Sequence, residues 1–254
     1  TPEIPIDATE SFAKAIKRHP VIWDNFPVND LAMQPEMHIG PITGRDASLH
    51  KCSKGIVVNT MIQAEASKIP LLTFADYFHD PAGYQPWESW ERALKTIGGE
   101  ESFSSVMRFA ENSLQSCLNH PNAVKLKQLV DQALEALKSG ESVSGSEAIN
   151  KLHGYLDELD EAGYHLKNRM TNYALRNNLI LWIEVLESWA WTGRRAIEAL
   201  KAIEKGGDVE TPVKWMKESL ETAESYPKRI TGDALRPFIT YTLDKVEAYK
   251  GTTK

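Results

Sequence analysis

The 254-residue sequence predicts a mainly α-helical protein in two parts, a short βα segment over residues 1–84 and an all-α helical bundle over residues 85–254. Three observations predict it. Two Val- and Ile-rich runs, Val21–Trp23 and Gly55–Val58, lie in the first part and are closely followed by asparagines. From Pro86 to Tyr249 there is no convincing period-two pattern, only helical periodicity broken by Gly, Pro and Asn. The stretch bearing Leu179, Ile180, Trp182, Ile183, Leu186, Trp189 and Ala190 is apolar around much of its girth, as the centre of a bundle must be.

In chain order, residues 7–19 read as a helix. Asp7 stands as N-cap with Glu10 at capping-box spacing, and Phe12, Ala15 and Ile16 form an apolar stripe. Proline disfavours helical backbone in the residue before it, so His19-Pro20 ends the helix. The run Val21-Ile22-Trp23 then breaks into Asp24, Asn25, Asn29 and Asp30 around Pro27. A buried strand that delivers polar side chains at its C-terminal end has this form. The polar loop from Asn25 to Cys52 is too long for a mere connector. Gly55–Val58 follows, ends in Asn59 and feeds a helix through Met61–Phe78. Two such strands read as parallel neighbours, and ligands of such sheets sit at the carboxyl ends of the strands.

The boundary to the bundle falls near Asp80 to Gln85. Helices are expected at Pro86–Ile97, Glu101–Cys117, Ala123–Ser139, Gly145–Arg169, Ala174–Lys205, Thr211–Ser225 and Gly232–Tyr249. Their unequal lengths and lack of a shared motif exclude a solenoid.

Composition narrows the partners. A net charge of −6 speaks against a nucleic-acid footprint, and no apolar run approaches the roughly 20 residues that span a bilayer. Cys52 and Cys117 form neither a metal-ligand pair nor a disulfide framework, and His153 and His165 lack metal-ligand spacing on their helix. No metal or cofactor is expected. The chain opens at Thr1 without methionine, signal peptide or basic leader, so the expectation is a processed product or a piece of a longer protein. Localisation is not readable from it.

Strand alternation sends Trp23 and Asn25 to one face and Ile22 and Asp24 to the other. An indole beside an amide suits a sugar, whose C–H face packs on the ring while hydroxyls take directed hydrogen bonds. Asp30 offers a carboxylate for two hydroxyls, and Asn59 a second amide. Spacing alone favours a plainer reading, in which Asn25 and Asn59 tie down turns and Asp30 caps a helix. His120, in N-H-P-N, reads as a loop residue. Trp87 and Trp90 read as packing of the first bundle helix, and Trp189 and Trp191 with Arg194 and Arg195 as core or an aromatic platform.

The blocks I-W-D-N-F-P-V-N-D, G-P-I-T-G-R, G-I-V-V-N-T-M-I-Q-A-E-A-S-K-I-P-L-L-T-F-A-D-Y and W-E-S-W-E-R-A-L, in this order over residues 20–94, resemble glycoside hydrolase family 84. These are bacterial β-N-acetylglucosaminidases similar to protein O-GlcNAcase, some of them named hyaluronidases. The resemblance implies that residues 1–84 are the last two β/α units of a TIM (β/α)8 barrel and that the helices from Glu101 are the post-catalytic helical domain. It implies that Trp23, Asn25, Asp30 and Asn59 bind a terminal N-acetylglucosamine, Trp23 as wall and Asp30 on the hydroxyls far from the scissile bond. Thr60 stands where the family often has proline.

The family mechanism is substrate-assisted and retaining, with the 2-acetamido carbonyl as nucleophile and two adjacent aspartates as the acid/base pair. No Asp-Asp dipeptide occurs in this chain. The acidic pairs Glu100-Glu101, Asp157-Glu158 and Asp160-Glu161 fall in solvent-facing helical patterns. The expectation is therefore the sugar-binding part of a glycosidase acting on N-acetylglucosamine-bearing glycans or glycoproteins, without catalytic residues of its own. Its partner would be barrel strands one to six, and a secreted bacterial origin follows by resemblance only. The rival expectation is a non-catalytic helical module that binds a carbohydrate or a protein.

Overall fold

The computed structural model describes residues 1–252, so the last two positions of the 85–254 segment lie outside the described residues. The chain is mainly helical. It opens with α1 (Ile6–Ile16), β1 (Val21–Asp24), β2 (Gly55–Val58) and α2 (Ala64–His79). The helices α3 (Pro86–Gly98), α4 (Phe103–Glu111), α5 (Val124–Lys138), α6 (Glu147–Asn168), α7 (Tyr173–Lys205), α8 (Glu210–Ser225) and α9 (Arg236–Thr252) follow. Both predicted strands form, and they pair in parallel with Val21 opposite Gly55 and Asp24 opposite Val58.

The alternation of β1 is as its sequence requires. Ile22 and Asp24 face inward, where Ile56 and Val58 pack beside Phe26, Phe74 and Tyr77. The other face, with Val21, Trp23 and Val57, is uncovered, and Trp23 is 65% exposed. Among the described residues the sheet has two strands, so each strand has an unpaired edge.

The centre of the molecule is α7, which packs against α6, α8, α9 and α2. Leu179, Trp182, Ile183 and Leu186 are buried along it, with Trp189 and Ala190. Asn172 caps its start by accepting from Leu175 N–H at 3.0 Å, and Gly206 closes it in the left-handed region at φ 64°. The same core cluster takes in Met37, Ile39, Met61, Ala66 and Ile69 from the first 84 residues. Asn178 of α7 also caps the start of α2, its Oδ1 accepting from Glu65 N–H at 2.9 Å and Ala66 N–H at 3.2 Å. Apolar burial and borrowed caps thus join the two parts.

Three local expectations need correction. Asp7 does not cap α1: the helix starts at Ile6 after Pro5 with no side-chain cap, and Asp7 lies in its first turn, where a negative charge suits the helix dipole. The buried positions of α1 are Thr9 and Ala13, while Phe12 of the expected stripe is 56% exposed. The helix expected over Glu101–Cys117 stops at Glu111. There Asn112 turns its Nδ2 to Arg108 O at 2.9 Å and Tyr155 Oη at 3.0 Å, and its carbonyl accepts from Thr231 N–H at 2.7 Å. An asparagine bonded this way competes with helix continuation.

Candidate functional site

The site begins where β1 and β2 end. Asn59 N–H donates to Asp24 O at 2.9 Å, which carries the ladder one residue past the strands. Val28 N–H donates to Asn59 O at 2.9 Å and folds the following loop back over the strand ends. Asn25 and Asn59 therefore emerge side by side. Asn59 Nδ2 donates to Asn25 Oδ1 at 3.1 Å, and Trp23 Nε1 donates to the same oxygen at 2.8 Å.

With that oxygen occupied twice, Asn25 Nδ2 and Asn59 Oδ1 have no partner among the described residues. The pair presents an amide NH2 group and an amide carbonyl oxygen next to an exposed indole. Asp30 stands further along the loop, ahead of a 3-10 turn at Leu31–Met33, and its side chain makes no cap hydrogen bond. The carboxylate is exposed and without an ion-pair partner among the described residues. The structure thus brings Trp23, Asn25 and Asn59 into contact and records no contact between them and Asp30. The amides do bond to each other across the strand ends, but the cap role that spacing favoured for Asp30 is not made. Trp23, Asn25 and Asp30 are exposed and Asn59 is half-buried, so in this chain they form an open shelf.

The opposite face of β1 holds the shelf in place. Asp24 is buried, and Arg45 grips its carboxylate with Nε at 2.8 Å and Nη2 at 2.5 Å. Arg45 Nη1 donates to Pro2 O at 3.0 Å and Thr43 O at 2.8 Å. A buried aspartate needs such a bidentate partner, because a lone buried charge is strongly destabilising. Sequence reasoning passed over Arg45. The signal was the inward-facing Asp24, which demands a cation.

Phe26 fills the space behind the shelf, joined to Pro27 by a cis peptide bond. His38 stacks on it with ring centroids 6.2 Å apart, and bonds Val28 O at 2.9 Å and Glu36 Oε2 at 3.0 Å.

His120 lies in the loop between α4 and α5, and it is buried there. Its ring meets Phe26 and Trp87 edge-on, at 6.3 and 5.5 Å between centroids, and Nε2 shares a 3.1 Å hydrogen bond with Thr43 Oγ1. Its Nδ1 is buried without a hydrogen-bond partner. A Cβ at Gly40 would lie 2.6 Å from that nitrogen, so the close approach requires glycine. Burial pushes the His120 pKa down to about 4, with the positive charge of Arg45 and the neighbouring His38 adding to it. The ring is neutral at pH 7 and serves as an anchor from the helical part. Cys117, on the same loop, sets its Sγ 3.9 Å from Asn25 O, and burial raises its thiol pKa.

The other candidates have packing or bonding partners within the fold. Trp90 is buried and donates to Ile39 O at 2.6 Å, which packs α3 onto the first part as expected. Trp191 is 38% exposed, donates to Asp160 Oδ1 at 3.0 Å, and has the guanidinium groups of Arg194 and Arg195 5.2 and 5.0 Å from its ring centre. Glu158 pairs with Arg108 at 2.7 Å, and Asp157 and Asp160 both pair with Arg194, so these acids brace helices. Among the described residues no group of three His, Cys, Asp or Glu is placed to hold a metal ion.

Residues 1–111 match the family model for β-N-acetylglucosaminidase, and residues 125–239 match that for the hyaluronidase post-catalytic domain-like family. A mutant of the O-GlcNAc hydrolase of Thermobaculum terrenum superposes with a TM-score of 0.85 at 27% identity, over 100% of this chain and 54% of that one. The chain belongs to the glycoside hydrolase family 84-like proteins. A second solved structure, CpGH84B, matches this family 84-like chain with a TM-score of 0.81 at 25% identity, covering 94% of it and 42% of the other. The protein O-GlcNAcases of Rattus norvegicus and Mus musculus are each 38% identical over 76 residues, 30% of this chain and 8% of theirs. The chain therefore spans a small part of those curated relatives and about half of the bacterial enzyme.

Proposed function

We propose that this chain is the sugar-holding part of a β-N-acetylglucosaminidase that releases terminal β-linked N-acetylglucosamine from glycans or glycoproteins by a substrate-assisted, retaining reaction. The shelf at the carboxyl ends of β1 and β2 carries the proposal: an exposed Trp23, a free amide donor on Asn25 and a free acceptor on Asn59. Asp30 adds an exposed carboxylate on the adjoining loop, with no ion-pair partner among the described residues. Indole, amide and carboxylate together suit an N-acetylated sugar.

In this proposal β1 and β2 are the last two strands of a (β/α)8 barrel, with residues 1–84 in the barrel and 85–254 in the helical domain. The uncovered face bearing Val21, Trp23 and Val57 and the open strand edges support it, because unpaired edges and exposed apolar faces are normally covered. Strands one to six then close the pocket and bring the two acid/base aspartates that this sequence lacks.

An assay of the 254-residue chain with an aryl β-N-acetylglucosaminide tests the division of labour. The expected result is no turnover above the uncatalysed rate. Turnover at enzymatic rates would falsify the assignment of the acid/base groups to other strands.

A further inference from the structure

We infer that the helical segment positions the sugar-holding loop, with Trp182, Lys228 and the backbone of Arg229 clamping residues 34–35 and so fixing Asp30; the inference rests on the pocket proposed above.

The loop carries a conformational cost beside Asp30. Leu31, next to Asp30, sits in the left-handed region at φ 49°, which costs a leucine about 1 kcal/mol or more. Its side chain is 83% exposed, so burial does not offset that cost. Within the turn, Met33 N–H donates to Asp30 O at 2.9 Å and Glu36 N–H to Met33 O at 2.9 Å. Asn29 Nδ2 closes the base of the loop on Glu36 O at 2.9 Å.

Gln34 N–H also donates to Leu31 O at 3.3 Å, and further bonds come from the helical part. Pro35 O accepts twice, from Trp182 Nε1 at 2.9 Å and from Arg229 N–H at 2.8 Å. Gln34 O accepts from Lys228 Nζ at 3.0 Å, and Glu36 Oε1 from Gln115 Nε2 at 2.9 Å. Lys228 is unusual among the lysines. Its ammonium lies 4.3 Å above the ring of the buried Trp182, has no carboxylate partner among the described residues, and is partly desolvated, which lowers its pKa. The ammonium bonds one carbonyl and covers the indole that bonds the next. Both carbonyls belong to the turn that starts at Asp30.

Lys228→Met tests this, since it keeps the aliphatic stem and removes the donor. In the 254-residue chain, hydrogen exchange of the Met33 and Glu36 amides should quicken about tenfold, with β1 and α2 amides unchanged. In the enzyme with all eight strands, the affinity for N-acetylglucosamine should fall about fivefold, and by less than about twofold when Asp30 is already alanine. Unchanged exchange, or an equal loss of affinity in both backgrounds, overturns the positioning role. If Asp30→Ala by itself leaves affinity intact, the pocket assignment fails instead, and the exchange measurement alone decides the clamp.

Discussion

At the end of β1, two adjacent side chains do opposite things: Asp24 turns inward to Arg45, and Asn25 turns outward beside Trp23. Arg45→Met should therefore act on stability, leaving Asp24 buried and unpaired at a cost of about 3–5 kcal/mol. Urea unfolding would measure it, and Asp24→Asn in the same chain should restore part of the loss. Asp30 is the opposite case. Exposed and unpaired, it contributes little to folding, so Asp30→Ala should leave stability within about 0.5 kcal/mol. In the complete enzyme it should cost sugar binding about 1.5–3 kcal/mol, the worth of a charged acceptor. His120 gives a pH signature. Its pKa falls from 6.5 unfolded to about 4 folded, so the unfolded state takes up the proton first as pH drops. Its contribution to stability is complete above pH 6.5 and is lost as pH falls toward 4, by about 2 kcal/mol between pH 7.5 and 5. His120→Phe should flatten that part of the urea-unfolding profile; an unchanged pH slope would mean that the ring is charged or solvated when folded.

Among the elements, the two strands and the long helices are written plainly in the sequence, because period-two and period-3.6 burial are local properties. The start of α1 and the end of α4 are not. Asp7 and Glu10 have capping-box spacing, yet Pro5 takes the cap position, and Asn112 ends α4 by contacts to Tyr155 and Thr231 far along the chain. That early end frees residues 112–123 to carry Cys117 and His120 up to the strand ends. The packing of α6 on α7 is testable at Gly163. A Cβ there would lie 2.5 Å from Glu187 Cγ, and Glu187 is paired with Lys167 at 2.5 Å. Gly163→Ala should cost about 1–3 kcal/mol and lower the melting temperature by several degrees, read by calorimetry.

Over the whole molecule, one apolar core runs from Met37 and Ile69 through α7 to Phe238, so the first 84 residues are held by the helices. The sequence by itself determined the order and type of the elements, the parallel strand pair, the buried girth of α7 and the outward face of Trp23 and Asn25. It also contained the motifs of the family and the absence of an Asp-Asp pair. Only the tertiary structure decided that Arg45 answers Asp24, that His120 plugs the space under Gly40, and that Trp182 reaches Pro35 across 147 residues of chain. Periodicity tells a side chain which face to occupy. Which distant group meets it there depends on how the elements dock, and docking is decided by apolar burial summed over the whole core.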